Sequence, residues 1–355
     1  MSYYPKYQKV IDYIMHKINN NELSSGDKIP SEKELAELHG VSNITIRKAM
    51  SELVASGIIH RIRGKGSFVS DSPAYGDKKQ HRLVAFLFPG FSLNGSAYMQ
   101  YIVSMQRYFL SHGFSLIIES TDTNKTDELT IVRKLIDKNV KGFLFFSKNP
   151  EKSIPCYQIL DEQDIPFVLI DRYTPLYPSN YVGCNNHDGI FTAVKYLLNQ
   201  NHTGIAYIAM DMNLSSEKDR YSGYKDAFIS AGLSVNRNYL FSMRDTEYER
   251  LLNHIREGDI TAIVTANDKT AIEVIRLLNQ EGLGIPEDVS IIGFDDSDIL
   301  EEAMIPLTTV KQYFDEIGYQ AAKLLGESID QNRPCNHIEL GTRLIVRKST
   351  KQKQR

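Results

Sequence analysis

Cysteine is scarce in this sequence, and it is not arranged for cross-linking or for metal binding. The 355 residues include Cys156, Cys184 and Cys335, which are far apart, and no two of them form a CxxC pair. Such cysteines are expected to remain thiols in a reducing compartment, because disulfide frameworks and zinc sites need paired and closer spacing. The sequence therefore predicts neither a disulfide nor a bound metal.

Long apolar runs and enzyme signatures are absent as well. No apolar run approaches the roughly 18 residues of a membrane span, and the residues MSYYPKYQKV lack the features of a secretory signal. We therefore expect a cytoplasmic protein that does not associate with a membrane. The sequence lacks Walker, HExxH and GxSxG motifs, and no GxGxxG opens a predicted helix, so we expect neither an enzyme nor a resident cofactor.

The chain does contain enough apolar material for more than one domain, and its charge is unevenly distributed. Hydrophobic residues make up 42% of the 355 positions, which is sufficient for several cores at this length. Residues 1–72 contain ten Lys and Arg against eight Asp and Glu, whereas the remainder contains 31 against 36. The acidic remainder is therefore not expected to bind DNA.

Residues 26–69 follow the element order of a winged helix-turn-helix. Ser31 precedes an apolar-periodic segment and Glu34 follows three residues later, which is a capping box that predicts the start of a helix. Gly40 predicts the end of that helix, and Ser42 caps a second one. One face of the second helix is apolar and consists of Ile46, Met50, Leu53 and Val54. A preceding helix over residues 5–20 completes a small three-helix domain.

Basic residues accompany this motif. Between Ser42 and Ser70 there are five basic residues and one acid. The face of the second helix opposite its apolar face consists of Ile44, Lys48 and Ser51, and Thr45 and Arg47 flank it. Two strands, 58–63 and 67–69, surround a tip that consists of Arg63, Gly64, Lys65 and Gly66. Such a helix suits the major groove of DNA, and such a tip suits phosphate. The helices and the hairpin could each occur in an ordinary helical domain that does not bind DNA. The occurrence of cap, turn, second helix and basic hairpin in one short span favours DNA binding.

The run KIPSEKELAELHGVSNITIRKAMSELVASGIIHRIRGKGSFV resembles the DNA-binding domain of the GntR family of bacterial transcription regulators. The resemblance covers residues 4–70. It implies that Lys33 contacts backbone phosphate and that Arg63 and Gly64 enter the minor groove. It also implies operator contacts by Ser42, Asn43, Thr45 and Arg47. The residue pattern itself adds Ile44, Lys48 and Lys65 to the candidate DNA contacts.

One position departs from the family pattern. The family usually has Arg where this chain has Asn43. Because Arg pairs naturally with guanine and Asn with adenine, we expect a shifted base preference at that step of the operator. Ile44 suits a contact with a thymine methyl group; alternatively, it covers the seam between the two helices.

The predicted domains are residues 1–70 for the DNA-binding domain and 83–348 for a second, larger domain. The intervening residues 71–82, DSPAYGDKKQHR, contain Pro73 and Gly76 without apolar periodicity, and we expect a linker there. Residues 349–355 are expected to form a basic tail.

Strand and helix patterns alternate throughout the larger domain. Strands are predicted over 83–89, 114–120, 142–146, 166–171, 205–210, 262–266 and 289–294, and most of them are continuously apolar. That pattern is typical of parallel strands covered on both faces. A later helix is predicted over 314–329. The length suits two lobes of doubly wound parallel α/β structure.

Polar residues follow several predicted strands, where open parallel sheets bind their ligands. The candidate ligand residues are Asp171, Arg172, Asn267, Asp268, Asp295 and Gln312, together with Arg220 on a helix and Phe91 and Tyr98 after the first strand. Carboxylates, amides and a guanidinium between aromatic faces suit a neutral sugar. Alternatively, Asp268 caps a helix, and Arg172 pairs with a neighbouring carboxylate. Asp296 and Asp298 are expected to be caps or turn residues.

Residues 82–348 carry a second resemblance. PFVLIDR, KDRYSGYKDAF, AIVTAND, GIPEDVSIIGFDD and PLTTVKQ resemble the effector-binding domain of the LacI/GalR regulators, which have the periplasmic sugar-binding-protein fold. This implies that the ligand lies between two lobes, with dimerisation through the same domain. It places four residues at the ligand, namely Arg220, Asn267, Asp295 and Gln312, and adds the region from Phe91 to Tyr98.

A GntR-type head on a LacI-type sensor resembles the arabinose repressor subgroup. That resemblance implies a homodimeric repressor that binds a palindromic operator and is released when a monosaccharide, with L-arabinose as the first choice, binds between the lobes. Two alternatives remain open. The effector of the same regulator could be a nucleobase or a sugar phosphate, or the chain could be a carbohydrate-active enzyme that uses the carboxylates Asp268, Asp295 and Asp296.

Overall fold

The computed structural model describes residues 6–20, 22–55, 57–62, 64–70, 82–90, 96–121, 127–242, 245–331 and 335–353. The chain divides into two compact units, residues 1–81 and 82–355. Arg63, Phe91 and residues 71–81 of the predicted linker lie outside the described residues, and their assignments stay predictions.

The first unit contains a helical group followed by a hairpin. Its elements are α1 (Lys6–Asn19), α2 (Glu32–His39), α3 (Asn43–Ala55), β1 (Ile59–Ile62) and β2 (Gly66–Val69). The predicted capping box at the start of α2 is confirmed, because the Glu34 carboxylate accepts from the Ser31 backbone N–H at 2.7 Å and the Glu34 N–H donates to Ser31 Oγ at 3.3 Å. Gly40 ends the helix in the left-handed conformation, with φ 61°.

The core of this unit joins all three helices to the hairpin. Val10, Leu35, Ile46 and Leu53 are fully or almost fully buried in it. Val54, which was predicted to share the buried face of α3, is instead 37% exposed. At about 100° per residue, Val54 lies well away from the line through Ile46 and Leu53, at the edge of the stripe.

Strands β1 and β2 pair in antiparallel fashion, with Ile62 opposite Gly66. Gly64 and Gly66 reverse the chain with φ angles of 77° and 121°, which only glycine adopts without strain. Lys28 forms a β-bridge with Phe68 and thereby ties the hairpin to the segment before α2.

The second unit consists of two α/β lobes. In chain order its elements are β3 (Arg82–Phe88), α4 (Ser96–Ser111), β4 (Phe114–Ser120), α5 (Glu128–Asp137), β5 (Val140–Phe145), α6 (Ile154–Asp161), β6 (Phe167–Ile170), β7 (Asn180–Cys184), α7 (Asn186–Asn199), β8 (Ile205–Ala209), α8 (Ser215–Ser230), β9 (Leu240–Ser242), α9 (Asp245–Arg256), β10 (Ala262–Thr265), α10 (Asp268–Gln280), β11 (Ser290–Asp295), β12 (Thr308–Lys311), α11 (Phe314–Asp330), β13 (His337–Leu340) and β14 (Arg343–Ile345). Short 3-10 helices span Arg237–Tyr239 and Asp298–Glu302.

Each lobe is built on one sheet. The first lobe has the strand order β13-β7-β6-β5-β3-β4, and the second has β14-β12-β11-β10-β8-β9. Neighbouring strands are parallel, apart from the antiparallel pair β12 and β14. Phe86 and Leu144 are buried on one face of the first sheet, and Leu87 and Phe145 on the other. The predicted doubly wound α/β lobes are confirmed.

Several strands escaped the sequence analysis. Strands β7, β9, β13 and β14 are short. No residue of β13 or β14 is fully buried, because both strands lie at sheet edges. Residues 308–311, for which no strand was predicted, form one between β11 and β14. The predicted basic tail is not free over residues 349–353. Ser349 Oγ donates to the Ile291 carbonyl at 2.6 Å, and the Lys351 N–H donates to Ser290 Oγ at 3.1 Å.

The chain passes between the lobes after β7, after β12 and after β13. Strand β7 pairs within the first sheet, whereas the following helix α7 packs on strands of the second. Strand β12 belongs to the second sheet, and α11 after it packs on the first. Residues beside these crossings therefore lie between the lobes.

Two sequence-based expectations concern this unit directly. Cys156, Cys184 and Cys335 are free thiols, as predicted, and the first two are buried. In the part of the chain that the structure describes, no helix combines the length and the apolar character that crossing a membrane requires.

Gly223 allows α8 to approach α7 closely. A Cβ atom at this position would lie 2.1 Å from the His187 carbonyl oxygen, and backbone cannot move aside cheaply. Gly223→Ala is therefore expected to lower the free energy of unfolding by about 1–3 kcal/mol, measured by denaturant titration. Gly341→Ala is the control, because nothing lies within 4 Å of its Cβ position, and it should change stability by less than about 0.5 kcal/mol. Equal stabilities of the two variants would contradict the close packing.

Candidate DNA-binding surface and ligand cleft

Helix α3 presents its first turn to solvent. Ser42 caps it as predicted, because Ser42 Oγ accepts from the Thr45 N–H at 3.3 Å and hydrogen-bonds Thr45 Oγ1 at 2.9 Å. Asn43 is exposed, and Ile44 is 80% exposed. An isoleucine this exposed does not cover the seam between α2 and α3. It is available for an apolar contact with a base.

Glu32 forms ion pairs with two arginines of this surface. Its carboxylate lies 3.6 Å from Arg47 Nε on α3 and 3.0 Å from Arg61 Nη2 on β1. The Arg47 side chain nevertheless remains 73% exposed. Lys33, Gly64 and Lys65 are also exposed. The ammonium of Lys48 lies 4.1 Å from the centre of the Tyr7 ring, and α1 therefore holds it in place.

Replacing Glu32 tests whether the two arginines belong to a DNA surface. Glu32→Gln frees Arg47 and Arg61, so the logarithm of the affinity for duplex DNA should fall more steeply with the logarithm of the salt concentration, by about 0.9 for each added phosphate contact. Fluorescence anisotropy between 50 and 200 mM salt would give this slope. Glu37→Gln, on the exposed side of α2, is the matched control for the change in net charge. Identical slopes for both variants would contradict the assignment.

Asp295 lies at the centre of the cleft between the lobes, at the end of β11. Gln312 Nε2, after β12, donates to Asp295 Oδ1 at 2.6 Å, and Arg220 Nη2 on α8 lies 3.9 Å from the same oxygen. Asp295 and Asp171 have φ angles of 124° and 66°, which are strained for residues with a Cβ. Backbone strain of this kind is concentrated at binding sites.

Arg220 is buried and fully oriented. Its Nε donates to Asn186 Oδ1 at 2.7 Å, and its Nη1 donates to the Ala266 carbonyl at 2.6 Å. The guanidinium lies over the Phe294 ring, 3.8 Å from its centre. These contacts leave Nη2 directed toward Asp295, so the second lobe presents a fixed donor beside a carboxylate.

The first lobe supplies the opposite wall through Asp171 and Arg172, which follow β6. Arg172 Nε lies 3.4 Å from Asp171 Oδ2, and Nη1 donates to the Ser147 carbonyl at 3.3 Å. The ion pair with a neighbouring carboxylate, expected as one alternative for Arg172, is therefore present. Tyr98 packs edge to face on Phe146, with ring centres 5.2 Å apart, and completes an aromatic floor.

The charges of the cleft balance. Two arginines, Arg172 and Arg220, face two aspartates, Asp171 and Asp295. Burial raises the pKa of Asp295 to about 6, against the opposing effects of Arg220 and the Gln312 hydrogen bond. A neutral ligand with several hydroxyl groups suits such a site better than an anion does.

Some buried polar atoms around the cleft have no hydrogen-bond partner among the described residues. On the first wall, Arg172 Nε forms no hydrogen bond, although it lies 3.4 Å from Asp171 Oδ2. On the second wall, Gln312 Oε1 lacks a donor, and the hydroxyl of Tyr101 on α4 is also without a hydrogen bond. Burial, followed by the charge of Asp171, raises the pKa of Tyr101 well above its usual value. A ligand hydroxyl both donates and accepts, so it would satisfy such atoms.

The structure corrects the assignment of Asp268. Its side chain is completely buried behind the cleft wall and accepts from Thr309 Oγ1 at 2.6 Å and from the Ser297 N–H at 3.0 Å. The neighbouring Asn267, and not Asp268, caps α10, because Asn267 Oδ1 accepts from the Thr270 N–H at 2.8 Å. Asn267 stays half-buried with its amide nitrogen near Met210 Sδ.

Asp296, which was expected to be a cap or a turn residue, takes part in ion pairs instead. Its carboxylate pairs with Lys311 at 3.2 Å and with Arg347 at 2.6 Å. A separate cavity of about 690 Å³ lies beside Gln312, with Asp296 and Met99 among its lining residues. Neither arginine of the cleft lines this cavity, whereas Gln312 belongs to both the cavity and the candidate ligand site.

Several residues of the cleft were not predicted. Asn186 follows β7, and recognition of that short strand would have placed it at a carboxyl end. Phe146 and Phe294 were assigned to strands only as apolar residues, although they stack under Arg172 and Arg220. Tyr101 lies one turn after Tyr98 on the same helix. The spacing of three residues places both on one helix face, and this would have indicated Tyr101 as a neighbour of the predicted Tyr98.

Comparison with known proteins agrees with both halves of this description. Residues 6–69 match the bacterial regulatory proteins of the gntR family, and residues 194–350 match the periplasmic binding protein-like domain. The chain is 27% identical to the arabinose metabolism transcriptional repressor of Halalkalibacterium halodurans, over 97% of this chain and 96% of that protein. It is also 27% identical to the repressor of the same description from Geobacillus stearothermophilus, over 98% of each chain.

A solved structure supports the fold of the second unit. A regulatory protein of the LacI family from Chloroflexus aggregans superposes with a TM-score of 0.68 and is 28% identical in sequence. The match covers 76% of this chain and 99% of that one. The resemblances drawn from the sequence are therefore confirmed for both units.

Proposed function

We propose that the chain is a sugar-released repressor of carbohydrate-utilisation genes, because it joins a segment that matches the bacterial regulatory proteins of the gntR family to a periplasmic binding protein-like domain. L-arabinose is the first candidate effector, since two relatives that match along their whole length are arabinose metabolism repressors. The protein would act in the cytoplasm, and we expect it to have no catalytic activity.

The chemistry of the cleft is the observation that carries the sugar assignment. Arg172 Nε, which faces Asp171 without forming a hydrogen bond, and Gln312 Oε1, which has no donor, lie on opposite walls. Each arginine of the cleft is matched by an aspartate. A sugar phosphate would need excess positive charge, which these residues do not provide. Carboxylates alone do not make this an enzyme, because Asp268 is buried behind the wall and Asp296 is held by two cations.

Release would follow from binding between the lobes. A ligand that contacts both walls stabilises the closed arrangement, and it changes operator affinity only if it binds the DNA-competent and DNA-incompetent states differently. Two copies of the chain would place two heads on a palindromic operator. Exposed apolar residues on α4, namely Met99, Val103 and Leu110, support association of the second unit with another copy.

Thermal unfolding of the full chain against a panel of monosaccharides, sugar phosphates and nucleobases tests the effector. A ligand at 100 times its Kd stabilises the domain that binds it by about 2.7 kcal/mol. We expect L-arabinose to raise the unfolding temperature, and Arg220→Ala and Asp295→Ala to abolish that shift. Asp298→Ala, an exposed aspartate three residues beyond Asp295, is the matched control and should retain it. A shift with a nucleobase or a phosphate alone would overturn the sugar assignment.

The affinity for the sugar should depend on pH through Asp295. Its ionised carboxylate accepts hydrogen bonds from hydroxyl groups, so binding favours the ionised form, and protonation competes with the ligand. Since the pKa of Asp295 is about 6, affinity should be constant above pH 7 and fall below pH 6, approaching tenfold per pH unit. Calorimetry between pH 5 and 8 measures this. Equal affinities at pH 5 and pH 8 would contradict a direct contact with the Asp295 carboxylate.

A further inference from the structure

We infer that Tyr173 is a positioning residue that ties the two walls of the ligand cleft together and thereby sets the affinity for the effector. Tyr173 is in the first lobe, directly after the Asp171-Arg172 turn that follows β6. The inference rests on the proposed sugar cleft, but the contact itself can be measured without a ligand.

Tyr173 makes two kinds of bond to the opposite lobe. Its backbone N–H donates to Ser215 Oγ at 2.8 Å. Its hydroxyl donates to the Asp219 carboxylate, with distances of 3.3 and 3.4 Å to the two oxygens. Ser215 and Asp219 lie one turn apart on α8, in the second lobe. A single residue of one lobe is thus attached to a helix of the other at two points.

The attachment joins the segments that carry the opposing ligand groups. On the first wall, Tyr173 immediately follows Asp171 and Arg172. On the second wall, Asp219 immediately precedes Arg220, whose guanidinium lies beside Asp295. When the bonds of Tyr173 form, they therefore fix the distance between the two arginine-bearing segments.

The turn that carries Tyr173 is held firmly within its own lobe. The Asp171 N–H donates to the Val182 carbonyl at 3.0 Å, and the Tyr181 hydroxyl donates to the Asp171 carbonyl at 3.3 Å. The ring of Tyr173 packs edge to face against Tyr181 and His337, with ring centres 5.1 and 5.0 Å away. Separation of the lobes would break the bonds to α8 and leave these aromatic contacts intact.

The hydroxyl can serve as a donor throughout the ordinary pH range. Burial, followed by the charge of Asp219, raises the pKa of Tyr173 to about 12. The two side chains are half-buried, and Ser215 is buried, so water competes only partly for these bonds.

These bonds affect ligand affinity because they exist only while the walls are close. The apparent Kd of a ligand that needs the closed form rises as the closed fraction falls. The Tyr173 hydroxyl makes one hydrogen bond to a charged group at a half-buried site. We therefore expect its removal to weaken the affinity for the effector by about three- to tenfold. Since closure traps the ligand, most of the change should be in the dissociation rate.

Tyr173→Phe in the full-length protein tests this, with Tyr177→Phe as the matched control. Tyr177 also donates its hydroxyl to a carboxylate, that of Asp161, but both residues are in the first lobe. With L-arabinose as the probe, calorimetry should show a three- to tenfold weaker Kd for Tyr173→Phe and no change for Tyr177→Phe. Asp219→Ala, which removes both acceptor oxygens, should have the same effect, and adding it to Tyr173→Phe should cause little further loss. Fully additive effects would overturn the inference.

Hydrogen exchange without any sugar gives the second readout. Peptides covering residues 171–177 and the first turn of α8 should exchange faster in Tyr173→Phe and Ser215→Ala than in the wild type, and at the wild-type rate in Tyr177→Phe. Unchanged exchange in Tyr173→Phe would overturn the inference and leave the proposed function standing. If the wild type binds no sugar, the effector assignment fails, while the exchange rates still decide whether Tyr173 holds the lobes together.

Discussion

The burial of Arg220 is the constraint on which the ligand cleft depends. A guanidinium out of water is costly unless its donors are satisfied and its charge is matched. Here the donors are taken up by Asn186 after β7 and by the Ala266 carbonyl after β10, while Phe294 and Asp295 of β11 supply the ring and the charge. One side chain thus fixes the carboxyl ends of several strands relative to one another. The position of α8 follows from that, and so does the position of Tyr173's partners.

Local rules in the sequence were sufficient for the elements that stabilise themselves. The capping box of Ser31 and Glu34, the left-handed Gly40 and the continuously apolar central strands were all predictable, because each depends on residues within one element. Edge strands such as β13 and β14 were not, because a neighbouring strand, not their own apolar pattern, makes them strands. Asp268 was misplaced for a related reason. Its role depends on Thr309 and Ser297, which only the folded sheet brings to it.

The same distinction applies to the cleft. Residues directly after a predicted strand, such as Asp171 and Asp295, were identifiable as candidate ligands from position alone. The contacts of the neighbouring residues Arg220 and Asp219 were not identifiable. Asn186 bonds to Arg220, and Tyr173 bonds to Asp219, from distant parts of the chain. Arg172 Nε and Gln312 Oε1 have no hydrogen-bond partner, and a bound hydroxyl group could supply one to each. No sequence pattern reveals such atoms.

If effector and operator favour different states of the same molecule, thermodynamic linkage requires each to weaken the binding of the other. We would measure the Kd of L-arabinose, or of the sugar that the thermal panel selects, for the protein alone, for the protein saturated with operator duplex, and for the protein mixed with a scrambled duplex. Operator should weaken sugar binding by the same factor by which sugar weakens operator binding, and scrambled DNA should have no effect. An effector Kd unchanged by saturating operator would contradict this coupling.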